Sequence, residues 1–294
     1  METINRCLLG AIIGDICGSP FEGREVKWTD PEDVPLFMVG GMSGAGCTDD
    51  TVLTVACYEA ASGDRDYKRA YLKYGNALPD AGYGGMFCQW LKSKDPKPYN
   101  SYGNGSAMRV SAIGWLFNDE ETVLTDAKRS AEPTHNHPEG IKGAQAVALA
   151  IFLLRNGISK QELKERIEKD FGYDLSRTLA EIRPTYGFDV TCQGTVPVAI
   201  TAFLESCDFE SAIRNAISMS GDTDTLACIT GSLAGVVFDY SDFTEVALQV
   251  LANVYFNHCP FGAFGLFESP EIGVFNEHPA SPERQREEWR KLAY

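Results

Sequence analysis

GAQAVALAIF at residues 143–152 and ACITGSLAGVV at residues 227–237 are apolar runs rich in small side chains. Small side chains let helix axes approach closely, so both runs suit the buried centre of a helical assembly. Outward from them the apolar residues keep a helical spacing. Ile4, Leu8, Ala11, Ile12 and Asp15 form one stripe, ended by the Gly18-Ser19-Pro20 cluster. Similar stripes cover 51–61, 66–78, 105–117, 120–130, 138–155, 159–169, 195–205, 208–218, 225–237 and 242–254. Alternating Val, Thr and Ile bounded by hairpin turns are nearly absent, so the expected fold is all-α. The Pro-containing stretch 95–100 and the Gly-rich stretch 40–46 are loop-sized. One compact multi-helix domain over 1–294 is therefore expected, with 279–294 as a surface helix or a frayed tail.

The chain has 294 residues, 44% of them hydrophobic and 23% charged, which excludes both a staple-dependent miniprotein and global disorder. Its net charge of −15 repels nucleic acid and anionic membrane surfaces, so nonspecific binding to either is disfavoured. A phosphorylated ligand would have to be held by backbone amides, a bound cation or a few placed basic side chains. The nine cysteines contain no C-x-x-C pair and mostly sit in apolar runs, as buried thiols in a reducing cytoplasm do. The apolar run near the N-terminus is broken by Asp15 and is too short to span a bilayer.

Two acidic segments share a local grammar: Thr48-Asp49-Asp50-Thr51 and Asp222-Thr223-Asp224-Thr225, each running into an apolar helical stretch. Helix capping explains either one alone, since Asp and Thr satisfy free N–H groups and complement the helix dipole. Together their four carboxylates exceed what capping requires, and a converging set would be repulsive without cations. Oxygen donors select Mg²⁺ or Mn²⁺ over Zn²⁺. The four histidines include no H-E-x-x-H helix, which removes a zinc hydrolase from consideration.

Three further segments carry candidate groups. In Gly14-Asp15-Ile16-Cys17-Gly18-Ser19-Pro20-Phe21-Glu22 the glycines let the backbone leave a helix sharply. Asp15 there reads as a capping or pairing group, and Glu22 as a loop carboxylate that is either functional or simply solvated. Ser101-Tyr102-Gly103-Asn104-Gly105-Ser106-Ala107-Met108-Arg109 is a Gly-rich loop opening a helix, where free amides can hold phosphate. It lacks the P-loop spacing, so nucleoside triphosphate hydrolysis is unsupported. Thr134-His135-Asn136-His137-Pro138-Glu139-Gly140 starts another helix, its imidazoles either facing a ligand or bonding around the helix start.

In order and content these segments resemble the ADP-ribosylglycohydrolase family: GAIIGDICGSPFE at 10–22, TDDT at 48–51, GNGSAMR at 103–109, THNHPEGIKGA at 134–144 and GDTDTLACITGSLAG at 221–235. The resemblance covers nearly the whole chain. It implies an all-α fold with a dinuclear Mg²⁺ cleft, Mn²⁺ being an alternative, and hydrolysis of an N- or O-glycosidic bond to ADP-ribose. Carried over by position, it implies Thr48, Asp49, Asp50, Asp222, Asp224 and Thr225 as metal-binding residues, with Asp224 bridging. Glu22, Asp49 and Asp50 become the candidate catalytic carboxylates, Asp49 or Asp50 near the attacking water and Glu22 the competing acid/base. Gly103, Asn104, Gly105, Ser106 and Met108 become the diphosphate and ribose loop, and His137 the imidazole near the distal ribose or diphosphate. Ser220 and Val236 depart from the family's Gly and Ala at those positions but leave the acidic residues in place.

The partner expected on this resemblance is an ADP-ribosylated protein, arginine first among linkages, or a small-molecule ADP-ribose adduct. Serine, O-acetyl-ADP-ribose and nucleic-acid-base adducts are alternatives. A noncatalytic, crystallin-like ADP-ribose binder is a third reading. A generic Mg²⁺ phosphatase is compatible with paired aspartates, but the sequence has no recognisable phosphate-transfer nucleophile motif.

Overall fold

Helix α1 (Glu2–Gly18) carries glycines at steps of four, Gly10, Gly14 and Gly18, and therefore along one line of its surface. In the computed structural model, which describes residues 2–24, 26, 28–36 and 46–238, that line lies against α13 (Thr223–Val237). A Cβ on Gly10 would collide with the Gly231 carbonyl, one on Gly14 with the Ala227 carbonyl, and one on Gly18 would sit 2.6 Å from the Asp224 Cα. Gly235 answers from the other side, its missing Cβ falling 2.5 Å from the Arg6 carbonyl oxygen. Each step of four forward in α1 thus meets a step of four backward in α13. The two helices run antiparallel with their backbones in contact.

Other side chains of this pair are buried on all sides. Cys7, Ile12, Ile13 and Ile16 of α1, and Leu226, Cys228, Ile229 and Leu233 of α13, are almost fully enclosed. A helix apolar around its circumference belongs at the centre. A second central helix, α8 (Pro138–Arg155), uses the same device, with Gly143 against Cys192 and its Ala148 carbonyl against Gly114.

Around these run α2 (Asp49–Ser62), α3 (Tyr67–Ala77), α4 (Gly85–Lys92), α5 (Gly105–Met108), α6 (Ser111–Leu116), α7 (Glu120–Ala131), α9 (Lys160–Phe171), α10 (Leu179–Ile182), α11 (Cys192–Leu204) and α12 (Phe209–Ile217). The expected all-α class holds. Among the described residues the one β feature is an isolated antiparallel bridge between Gly103 and Thr191. No helix among them is long and apolar enough to cross a membrane.

The structure departs from the sequence expectation in four places. The stripe at 105–117 is two helices, because Arg109 and Val110 adopt φ near −90° with ψ near 0°, outside helical geometry. The break turns Arg109 into the interior. Helices α4 and α10 were not anticipated, being eight and four residues long and too short to show a period. Helix α11 begins at Cys192 rather than 195, because Thr191 caps it by accepting the Gly194 N–H. The chain divides into a unit Met1–Val254 and a unit Tyr255–Tyr294. All described residues belong to the first, so one domain through 294 remains a proposal. The stripe at 242–254 and the tail at 279–294 lie outside the described residues.

The packing predicts opposite outcomes for two glycines. Gly14→Ala drives a methyl into a backbone carbonyl and should cost about 3 kcal/mol in urea unfolding. Gly85→Ala places a methyl in open space at the start of α4 and should be neutral or stabilise by up to about 1 kcal/mol. Equal midpoints for the two variants would contradict the α1–α13 contact.

Candidate active site

The antiparallel register sets the C-terminal end of α1 beside the N-terminal end of α13. The Thr223 hydroxyl donates to the Gly18 carbonyl at 2.8 Å, so the first turn of α13 caps the last turn of α1. The chain leaves α1 through a 3₁₀ turn, Ser19–Phe21, which its internal proline favours. The Gly23 N–H then donates to the Gly221 carbonyl at 2.9 Å. This turn carries Glu22 to the acidic start of α13. Single carboxylate oxygens of Glu22, Asp222 and Asp224 all lie within 4.8 Å of one another.

Asp15 brings in the second acidic segment. Its buried carboxylate accepts the Thr48 N–H at 3.0 Å, the Thr48 hydroxyl at 2.8 Å, the Thr51 N–H at 3.1 Å and the Thr51 hydroxyl. A carboxylate of α1 thereby caps α2 and fixes where Asp49 and Asp50 stand. Of the two roles the sequence allowed Asp15, it takes capping, across 33 residues of chain. The Thr48 hydroxyl is occupied by this cap, and it also accepts the Asp50 N–H at 3.2 Å.

Asp50 is buried, and its Oδ2 accepts the Thr225 hydroxyl at 3.3 Å. Its other oxygen, Oδ1, is sealed from solvent and has no hydrogen-bond partner. Among the described residues none of Asp50, Asp222 and Asp224 pairs with a basic side chain. Burial, and then the charges of neighbouring carboxylates, push the carboxyls of Asp50 and Asp224 well above their ordinary value. The same causes raise half-buried Asp49 to about 8. Burial raises Asp15 to about 6 against the pull of its four hydrogen bonds. Glu22, on the exposed rim, is raised by partial burial and then by Asp222 and Asp15. An orphaned carboxylate oxygen amid unpaired acids, all-oxygen donors, fits a hard divalent cation.

The Gly-rich loop meets the acidic cluster through one side chain. Buried Asn104 donates from Nδ2 to Asp222 Oδ2 at 2.6 Å and to the Thr195 hydroxyl at 3.0 Å. Its N–H donates to the Val190 carbonyl at 2.8 Å, and Cys192 N–H donates to the Tyr102 carbonyl at 2.9 Å. The loop at 183–191 therefore braces the loop at 101–105. Gly103 and Gly105 are partly open, whereas Ser106 and Met108 face inward. The Ser106 hydroxyl donates to the Gly140 carbonyl at 2.7 Å, and the Met108 carbonyl accepts the Thr54 hydroxyl at 3.3 Å.

His137 caps α8, with Nδ1 accepting the Glu139 N–H at 3.1 Å, and its ring lies 5.3 Å from that of exposed Tyr102. His135 lies closer to the glycines: a Cβ on Gly105 would be 3.3 Å from its Nε2. Of the departures from the family pattern, Ser220 takes the left-handed φ of +67° and donates its hydroxyl to the Arg24 carbonyl at 2.9 Å. Gly221 at φ +84° has no room for a side chain, the Gly187 carbonyl lying 2.7 Å from where its Cβ would be.

The Arg109 interior position and the bracing loop at 183–191 were not singled out from the sequence. For Asp15 the sequence offered a capping role without the helix it caps, α2.

The fold and the site define a helical protein whose carboxylate cluster, suited to divalent ions, is joined to a glycine loop by one asparagine. The ADP-ribosylglycohydrolase family profile matches residues 2–261, and the chain belongs to that family. ADP-ribosylhydrolase ARH3 of Bos taurus is 27% identical to it over 81% of this chain and 86% of the relative. ADP-ribosylarginine hydrolase Tri1 of Serratia proteamaculans is 22% identical over 80% of this chain and 66% of the relative. A solved ADP-ribosylglycohydrolase-related protein complex aligns with a TM-score of 0.63 at 25% identity, over 86% of this chain and 99% of its own.

The raised carboxyls set a direction for stability. Groups whose pKa is higher folded than unfolded, where Asp titrates near ~3.9, stabilise the fold while protonated, and that contribution fades as pH rises through their folded values. Those values are about 6 for Asp15 and about 8 for Asp49. Chelator-treated protein should therefore melt lower near pH ~8 than near pH ~5, and millimolar Mg²⁺ should raise the melting temperature mainly at the higher pH. Asp50→Asn should flatten the metal-free profile. A melting temperature insensitive to Mg²⁺ at both pH values would contradict a cation site.

Proposed function

We propose that the chain hydrolyses the glycosidic bond between ADP-ribose and a protein side chain, with Mg²⁺ and with arginine as the leading linkage. The observation that carries this reading is the Asn104–Asp222 hydrogen bond of 2.6 Å. It ties the loop suited to diphosphate and ribose to the carboxylates suited to a cation, so one ligand spanning both would present its terminal ribose to the acidic cluster. Asp50, Asp222 and Asp224, with Thr48, Asp49 and Thr225 around them, would hold the metal, and Glu22 stands at the edge of the same group. When bound, one or two such ions supply positive charge that orients ribose hydroxyls and acidifies water; Mn²⁺ shares this ligand preference.

The chain's own residues divide the remaining work. Hydrolysis breaks the C1″–N or C1″–O bond as water oxygen adds to C1″; a base takes the water's proton and the leaving atom gains one. Asp50 is sealed inside, which suits holding over proton exchange. Glu22 is exposed and Asp49 half-buried, so both can trade protons with a bound water, and the upward direction of both carboxyls suits that task. The concentration of carboxylates, with no basic side chain among the described residues paired to Asp50, Asp222 or Asp224, favours a cationic leaving group such as guanidine. Gly103, Asn104 and Gly105 are proposed to hold diphosphate and ribose, with Ser106 and Met108 shaping the loop from beneath and His137 at its outer side. The free, mostly buried described cysteines suit a reducing compartment, for which we propose the cytoplasm.

Defined arginine, serine and O-acetyl adducts of ADP-ribose, assayed with and without Mg²⁺, test this. Mg²⁺-dependent release from the arginine adduct is expected, and Glu22→Gln should lower kcat by about 10²-fold with ADP-ribose binding retained. Release only from another adduct would overturn the linkage, and binding without release from any would make the protein a noncatalytic binder.

A further inference from the structure

Arg109 is fully buried, yet among the described residues it forms no ion pair with a carboxylate. Its guanidinium lies 4.0 Å over the ring of Tyr71. One nitrogen, Nη2, donates to the Ser130 carbonyl at 3.0 Å and to the Thr134 hydroxyl oxygen at 2.9 Å; Nε and Nη1 have no partner. Enclosing a cation this way is costly, which calls for a role beyond filling space. The Thr134 oxygen is in turn 2.7 Å from His135 Nδ1.

We propose that Arg109 and Thr134 are positioning residues that lock His135 as a neutral imidazole with its proton on Nε2, aimed as a donor at an anionic oxygen of the ligand in the Gly103–Gly105 loop. The ligand part of this inference rests on the proposed function; the lock does not.

A guanidinium can only donate, so the Thr134 oxygen is an acceptor towards Arg109. The Thr134 hydroxyl is buried, so its own proton needs an acceptor, and the acceptor beside it among the described residues is Nδ1 at 2.7 Å. A neutral imidazole accepting at Nδ1 carries its hydrogen on Nε2. Burial, reinforced by the Arg109 charge, holds the His135 pKa well below its ordinary value, so a second proton is resisted.

Nε2 then faces the two glycines: built Cβ atoms on Gly105 and Gly103 would lie 3.3 and 3.5 Å from it. Any side chain there would cover the N–H, and glycine leaves it open. In contrast, the His137 Nδ1 is spent on capping α8.

Long-range ¹H–¹⁵N spectroscopy of the ligand-free protein reads the tautomer directly. Wild type should show His135 with a pyridine-type Nδ1 and a pyrrole-type Nε2. Thr134→Val should mix the tautomers and weaken ADP-ribose binding, measured by calorimetry, about tenfold through the loss of one aligned charge-assisted hydrogen bond. Thr134→Ser should restore both. A protonated Nδ1 in wild type overturns the lock, whether or not the variants fold, and so does an unchanged tautomer in a folded Thr134→Val protein. Failure of wild type to bind ADP-ribose would count instead against the proposed function, since the ligand-free spectrum decides the lock independently.

Discussion

Backbone contact between α1 and α13 is the constraint on which the rest depends. Glycines and alanine at every fourth position remove the side chains that would hold two helices apart, and the antiparallel register follows from which gaps face which. That register sets Asp15 and the turn bearing Glu22 beside Asp222 and Asp224. Through the four hydrogen bonds of Asp15 it also fixes Asp49 and Asp50 on α2. Residues more than 200 positions apart meet, as in the bond from Thr223 to Gly18, because two helices have nothing between them.

The electrostatic consequence works against folding unless something offsets it. Buried carboxylates in a chain of net charge −15 are disfavoured by desolvation and by one another, and the local donors among the described residues are threonine hydroxyls, amides and one asparagine. Raised pKa values are the metal-free resolution: protons stand in for missing positive charge. A divalent cation offsets the same repulsion without neutralising the acids chemically. Packing that brings these oxygens together thereby creates both the repulsion within the cluster and a donor set suited to a divalent cation.

Much of this was legible in the sequence. The helical period gave the all-α class and most helix positions, because long amphipathic or small-residue stripes have few other solutions. Paired acidic first turns read as one group of carboxylates, and the structure brings the two segments together. What escaped was set by tertiary contact. Arg109 and Val110 break a helix whose apolar pattern runs straight through, since the pattern records burial and not dihedral angle. Helices α4 and α10 are shorter than the window in which a period can be counted. Proximity of Glu22 to Asp222 depends on a backbone hydrogen bond from Gly23 to Gly221, which leaves no trace in side-chain identity. The difference between His135 and His137 likewise lies in contacts: Nδ1 of His137 caps α8, whereas Nδ1 of His135 lies against the Thr134 hydroxyl.

The most direct test of the convergence of these acidic segments on a cation is anomalous scattering from crystals grown with Mn²⁺. Anomalous peaks in coordinating contact with oxygens of Asp50, Asp222 and Asp224 are expected. Carboxylates that diverge, with no peak between them, would contradict the account.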